Sequence, residues 1–523
     1  MTIFNLTREP WIPVEALDGR VFELSTHDAL RRAHELRALA DPSPLVVAAL
    51  TRHLLAVLHR SYDGPRSMKE WVSIARSRRF DVTCVNDYLS RVEDRMDLFH
   101  PMRPFGQTRG LLEQFGDYVM PIDELEVFRS RWGTGRELFR HAPDRQPRMS
   151  AARAARAVLA HQAFATGGLV KKPGEPTAAT AAPLTRSALV VVCGATLFET
   201  LIANLLPFSA EEPVPTGGAR DMCSWEQESL PRELRRPDEP KRVPLGYLDL
   251  LTWLSRRIEL IRDGETVTGF VNAVGQGLAG SAPRDPMVAY RKHEKLGWLP
   301  IGIDINRAFW RSSAALFETA RAEGSLYERP RAIDLVASPD ACEVLGDVMY
   351  DVEILGLAAE KSRVDAVRSE RVQSRGRCFN NPDAGTAVRD ALDFAQHAVK
   401  ALKDSLYEYA KRALSPGDRE PDSGSVRALR DSFGAEPSSW SAIGVAFEHF
   451  MRRLAEDPAA ALTAFRLQTA AIVRDVFRTV TARGEATGRW LKARALADRS
   501  FGEKIDGLTR TAGVSINEAS ATA

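Results

Sequence analysis

The sequence predicts an α+β protein: a large mixed N-terminal domain with long loops over residues 1–382, then an antiparallel four-helix bundle over residues 383–523. Three observations predict it. Helix-period sequence runs almost unbroken from Ala384 onward. Short β-favouring runs alternate with turn residues near the N-terminus and in the middle of the chain. Prolines and glycines concentrate in two stretches, with seven prolines from Pro207 to Pro244 and a glycine-rich stretch at 262–300.

The elements follow in order. Trp11–Val14 and Val21–Leu24 read as extended, and Asp18-Gly19 between them is a hairpin signal. Leu45, Val46, Ala49, Leu50, His53, Leu54, Val57 and Leu58 recur at helical spacing and predict an amphipathic helix. Residues 207–244 read as a surface excursion. Strands are expected at 267–271, 287–290 and 298–303. Four helices are expected at 387–414, 442–454, 458–482 and 489–508, with a breaker at 416–425 and a domain boundary within 380–385. In the third helix Leu462, Phe465, Ile472, Val476 and Val480 form a stripe with Thr469 as its one polar member.

Composition narrows the classes. The chain has 523 residues, 44% hydrophobic and 27% charged, which is a globular composition and excludes disordered and collagen-like chains. Cys84, Cys193, Cys223, Cys342 and Cys378 are scattered and odd in number, so they read as reduced thiols, not as a disulfide framework or zinc knuckles. No run reaches the roughly 18 apolar residues of a membrane span. The nearest, at 188–206, is interrupted by Cys193, Gly194, Glu199 and Asn204. No apolar signal core follows Met1, so a cytoplasmic protein with no membrane partner is expected.

Net charge is only +2, from 71 Lys and Arg against 69 Asp and Glu. Any nucleic-acid role must therefore rest on local patches. Two exist. Between Arg129 and Lys172 ten basic residues face only Glu137 and Asp144, a local net of +8. Between Lys361 and Arg377 six face Asp365 and Glu370, a local net of +4. The rest of the chain is acidic. The second strip follows the apolar run 352–357 and reads either as a solvated helix face or as a binding strip where a buried element emerges.

Enzyme motifs are mostly absent: no GxxxxGK[ST], HExxH or GxSxG occurs. His27-Asp28 could seed a metal phosphohydrolase, but behind Ser25-Thr26 it reads as helix capping. Gly275-Gln276-Gly277 with Gly280 partly mimics a dinucleotide fingerprint, yet a surface loop is the plainer reading. His100, beside Pro101, reads as structural. Gly167-Gly168 lies between an apolar helix-like run and Lys171-Lys172. A Cβ-free pair permits close backbone approach, and the lysines suit a phosphate chain. A flexible linker is the competing reading.

Several pieces together resemble the CasA-type large subunit of the type I-E CRISPR Cascade complex. They are Trp11-Ile12-Pro13-Val14, the stretch His100-Pro101-Met102-Arg103-Pro104-Phe105-Gly106-Gln107-Thr108, the segment 159–168, the region 290–303 with Phe309-Trp310, and the helical tail with Phe447-Glu448-His449-Phe450. The resemblance covers nearly the whole chain in order. It implies a non-catalytic subunit without a cofactor that reads the protospacer-adjacent motif in double-stranded target DNA, helps open the duplex, contacts the crRNA and other Cascade subunits, and recruits a helicase–nuclease. Base pairing then reads the sequence, as in other RNA-guided systems.

The resemblance also implies site residues. Gly167 and Gly168 match the family's glycine loop, with Lys171 and Lys172 beside it. Phe139, with Arg140, matches the aromatic of a loop near the guide's 5′ end. Lys361, Ser362 and Arg363 fall on the family's wedge, where better-known members carry Asn-Gln. Two further departures are the absence of a minor-groove lysine near 270–272 and of cysteine knuckles near 262–285. Two other classes stay open: a metal-dependent nuclease or phosphohydrolase built on His27-Asp28, and a scaffold subunit without DNA readout.

Overall fold

The computed structural model describes residues 4–129, 147–170, 178–208, 220–227, 241–318, 324–360, 363–415 and 420–513. The chain divides into two compact units. One comprises Met1–Phe309 and Glu318–Arg371, the other Trp310–Phe317 and Val372–Ala523.

In the first unit the strand Ile12–Ala16 pairs antiparallel with Val21–Leu24 and with Leu36–Leu39. The turn at Asp18-Gly19 is real: Gly19 has φ +87°, a left-handed conformation that glycine adopts without strain. Trp11 is fully buried, and its indole Nε1 donates to the Leu6 carbonyl at 2.8 Å.

The helix expected around residues 45–58 runs Pro44–Tyr62. It is not simply amphipathic, because every residue from Ala48 to His59 is buried. Its polar residues find internal partners. Arg52 Nη1 donates to Asp285 Oδ2 at 2.7 Å and Nη2 to the Leu250 carbonyl at 2.9 Å. Burying a charge demands this kind of pairing. The helix is thus a central spine of the unit's core.

The apolar run at 188–206 becomes a strand, Leu189–Cys193, and a helix, Leu197–Asn204, both in the core. Asn204, one of its interruptions, donates Nδ2 to the Val192 carbonyl at 2.8 Å and so ties helix to strand. No helix among the described residues is long and apolar enough to cross a membrane. The strand expected at 267–271 is longer, Thr266–Val274, and pairs with Arg256–Asp263. Those expected at 287–290 and 298–303 resolve into the hairpin Tyr290–His293 and Gly297–Pro300.

The basic strip at 361–377 is not a helix face. Residues Arg363–Arg375 form a strand that follows the strand Met349–Glu360, and the latter also pairs with Leu189–Cys193. Toward its end Val372 and Ser374 are buried while Arg371, Gln373 and Arg375 are not, the two-residue period of a sheet.

The second unit is helical: Pro382–Leu414, Ala435–Arg453, Pro458–Ala482 and Gly488–Thr511, with a short helix Ser423–Ser432 where the sequence suggested only a breaker. The long helices start where local chemistry allows. Asn381 accepts from the backbone N–H of Asp383, Asp457 accepts from those of Ala459 and Ala460, and a proline follows each cap. The buried stripe of the third long helix is Leu462, Phe465, Thr469, Val473, Phe477 and Val480. Ile472 and Val476, which the sequence assigned to it, are only half-buried, because the stripe drifts by one residue over the helix. Phe447, Phe450 and Phe465 pack with ring centroids 5.4–6.0 Å apart. The segment Trp310–Phe317 belongs here: Trp310 lies 4.9 Å from Phe447, and Arg311 stacks 3.6 Å over Trp440.

Candidate nucleic-acid interface

The Gly167-Gly168 pair emerges from a helix built to hold it. Ser150 caps the helix Ala151–Phe164 by accepting from Arg153 N, and the helix buries an alanine-rich face. Short side chains let it sit close to the strands Arg256–Asp263 and Thr266–Val274. The chain then turns at Ala165. Its carbonyl accepts from Ala182 N at 2.8 Å and from Thr185 Oγ1 at 3.0 Å. Gly168–Leu169 pairs antiparallel with Ala178–Ala179. Gly168 therefore opens the first arm of a small ladder, with Gly167 immediately before it.

A side chain at Gly167 would be crowded. A Cβ there would lie 3.0 Å from Ala181 N and 3.3 Å from Ala179 O. Beyond it, Leu169 is 60% exposed while Val170 is buried against Ala179 and Val274. One side of the ladder is thus anchored in the core, while Leu169 lies exposed.

The anchoring network escaped sequence reasoning. Gln162, buried in the helix, brackets one residue of the neighbouring strand: its Oε1 accepts from Arg256 N and its Nε2 donates to the Arg256 carbonyl, both at 2.8 Å. Ser255 Oγ donates to the Gln162 carbonyl at 2.7 Å. The only signal was a polar residue at a core position of an apolar helix. Gly275-Gln276-Gly277 is also a correction, since it is buried and is not a surface loop. A Cβ on Gly275 would fall 2.1 Å from Arg256 N, so this glycine lets the returning strand lie directly on the Ser255–Arg256 peptide.

The two basic strips behave differently in space than in sequence. Arg148 pairs with Asp263 at 2.6 Å, Arg153 with Glu126 at 2.7 Å, and Arg156 with Glu23 at 2.6 Å and Asp41 at 3.1 Å. In the second strip Arg363 pairs with Asp365 at 2.6 Å, and Arg371 with Asp351 at 3.0 Å. Arg368 donates to the Asp304 carbonyl at 3.0 Å. Acids from distant segments thus pair with Arg148, Arg153, Arg156 and Arg371, while Arg363 is held by the neighbouring Asp365. The strips meet: Arg153 and Arg156 share the wall of a cleft of about 810 Å³ with Val364–Val367. Phe139, Arg140, Lys171, Lys172, Lys361 and Ser362 lie outside the described residues.

Near 270–272, where the resemblance left a lysine missing, Phe270 and Asn272 are buried in mid-strand. His27-Asp28 sits in the short helix Thr26–Arg31, where Ser25 Oγ accepts from Asp28 N at 3.0 Å, a cap. Among the described residues no cluster of three or more His, Cys, Asp or Glu could hold a metal ion. His100 Nδ1 accepts from Met102 N and Arg103 N and shapes its own turn.

Known proteins agree with this architecture. The model of the family CRISPR-associated protein Cse1 matches residues 5–476. "CRISPR-associated protein CasA/Cse1" of Thermus thermophilus is 32% identical over 517 residues, covering 96% of this chain and 97% of that protein. A crystal structure of Thermus thermophilus CasA superposes with TM-score 0.83 at 30% identity, covering 97% of this chain and 100% of that one. Thermobifida fusca Cse1 superposes at 0.77 with 25% identity, over 97% and 98% of the two chains. A chain of a CRISPR RNA-guided surveillance complex shares the fold at 0.73 with 21% identity, over 96% and 100%. Matched along nearly its full length, this chain belongs to the CRISPR-associated protein Cse1 family.

Proposed function

We propose that this chain is the large, non-catalytic subunit of a cytoplasmic CRISPR surveillance complex and reads the protospacer-adjacent motif in double-stranded DNA. The observation that carries the reading is the Gly168–Leu169 ladder with the side-chain-free Gly167 at its root, seated on a buried polar network. Minor-groove readout is degenerate and rewards close backbone approach over side-chain hydrogen bonds.

In this reading Gly167 and Gly168 meet the motif base pairs. Lys171 and Lys172 neutralise adjacent phosphates. Lys361, Ser362 and Arg363 enter beneath the first target pair as the duplex opens. Phe139 and Arg140 lie against the crRNA near its 5′ end. Other Cascade subunits hold the chain, and a helicase–nuclease is recruited to the opened target. The near-neutral total charge suits a subunit that grips DNA locally.

The test is a gel shift with guide-loaded complex, with and without this chain, on duplexes that differ only in the flanking trinucleotide. Binding that needs the chain and follows the flank supports the reading. Binding indifferent to both overturns it.

A further inference from the structure

The guanidinium of Arg256 is among the most buried charges of the first unit, on a residue only 3% exposed. Its donors go to backbone carbonyls. Nη1 donates to Ser255 O at 2.8 Å, and Nη2 donates to Thr166 O at 2.8 Å and to Ala165 O at 3.3 Å. Thr166 and Ala165 are the two residues immediately before Gly167. The planar fork of an arginine can hold adjacent acceptors in one plane, which a lysine ammonium cannot do with fixed geometry.

The backbone of Arg256 is itself immobilised. Gln162 brackets its N–H and carbonyl, and Gly275 lies against its peptide. Its cross-strand partner Val274 packs with Val170 and Ala179. A rigid sheet is thereby coupled to the ladder by two contacts, one polar at its root and one apolar at its far side.

We propose that Arg256 is a positioning residue for motif recognition: it sets the height and tilt of the Gly167-Gly168 edge, so that discrimination between flanking sequences depends on it although it touches no DNA. The inference rests on the proposed function. Removing the fork takes a donor from the Thr166 and Ala165 carbonyls, and the ladder root shifts or takes up water. Binding through guide pairing is unaffected, because that step does not use the ladder.

The experiment uses guide-loaded complex carrying the full chain and a pool of duplexes with a randomised flanking trinucleotide, the bound fraction being sequenced. A second target has the guide-complementary region already unpaired. Gly167→Val tests the underlying reading and Arg256→Met tests the inference. Flank discrimination is expected to fall about tenfold for Arg256→Met, with binding to the unpaired target unchanged and Arg256→Lys intermediate. An Arg256→Met complex that discriminates like wild type, where Gly167→Val does not, overturns the inference alone. Wild-type discrimination by Gly167→Val overturns the reading beneath it.

Should Arg256→Met fail to fold, Arg256→Lys is measured by amide hydrogen exchange. Faster exchange at Gly168–Leu169 with an unchanged strand Thr266–Val274 supports the positioning role. Unchanged exchange at Gly168–Leu169 refutes it.

Discussion

A Cβ placed on Gly167 would stand 3.0 Å from the backbone nitrogen of Ala181. That separation is tight for alanine and forbids a branched side chain. Gly167→Ala is therefore expected to keep most flank discrimination, whereas Gly167→Val loses it while the complex still assembles. Native gels for assembly and flank-pool sequencing for discrimination check both outcomes. A valine variant with wild-type discrimination would show that the pair does not meet the motif.

Arg363 is exposed and held by Asp365, and a solvent-exposed ion pair of this kind is weak. The guanidinium can exchange that partner for a phosphate at little cost. Lys361→Ala with Arg363→Ala should weaken binding to closed duplex more than to pre-opened target. Asp365→Asn should strengthen closed-duplex binding and steepen its salt dependence by about one phosphate contact. Equal losses on both targets would argue against a wedge at this tip.

Three histidines buried in the first unit make its stability depend on pH. Burial pushes His53 down to about 3, and His59 and His161 down to about 4. His53 sits between Trp11, Phe105 and Trp225 with ring centroids 5.3–5.8 Å away. All three stay neutral in the folded state. The unfolded chain takes up their protons below its ordinary value near 6.5. Their contribution is thus complete above that pH and is lost as pH falls toward 4. At pH 5 each removes about 2 kcal/mol relative to pH 8. Urea unfolding across this range should show the decline, and His53→Phe should flatten it by nearly one proton. An unchanged slope in that variant would contradict the assignment.

Gly246 makes room for a carboxylate. A Cβ there would fall 2.1 Å from Asp221 Cγ, and Asp221 Oδ1 accepts from Asp249 N at 3.1 Å. Asp221 thereby serves the start of the helix Tyr247–Leu251 from outside it. Gly246→Ala should cost about 1–3 kcal/mol through overpacking. The melting temperature reports it, and a shift of less than about a degree would mean the carboxylate swings away freely.

In the helical unit Phe465 joins Phe447 and Phe450 and is 1% exposed. Phe465→Ala should destabilise the unit by about 3–5 kcal/mol. Amide exchange across Pro382–Leu414 and Ala435–Arg453 should accelerate accordingly. Protection at wild-type levels would mean that neighbouring rings refill the space.

Much was legible in the sequence because it depended on local chemistry. The Asp18-Gly19 turn, the cap ahead of His27-Asp28 and the long helical periods are properties of a few adjacent residues. Turns and caps satisfy their own backbone groups, so their signals survive without tertiary context. The glycine pair was visible for the same reason: only missing side chains mark a close approach. The family motifs were legible as a linear order.

Tertiary structure decided what depended on distant partners. Arg148, Arg153 and Arg156 read as part of an unopposed basic strip until Asp263, Glu126, Glu23 and Asp41 arrive from elsewhere and pair with them. Gly275 reads as a loop glycine until the Ser255–Arg256 peptide fills the place of its side chain. Ser25 capping Asp28 reads locally, whereas Gln162 and Arg256 gain meaning only when a helix and a strand 94 residues apart exchange hydrogen bonds. Charge and hydrogen bonding act through space over a few ångströms. Sequence order records such neighbours only when the chain itself keeps them close.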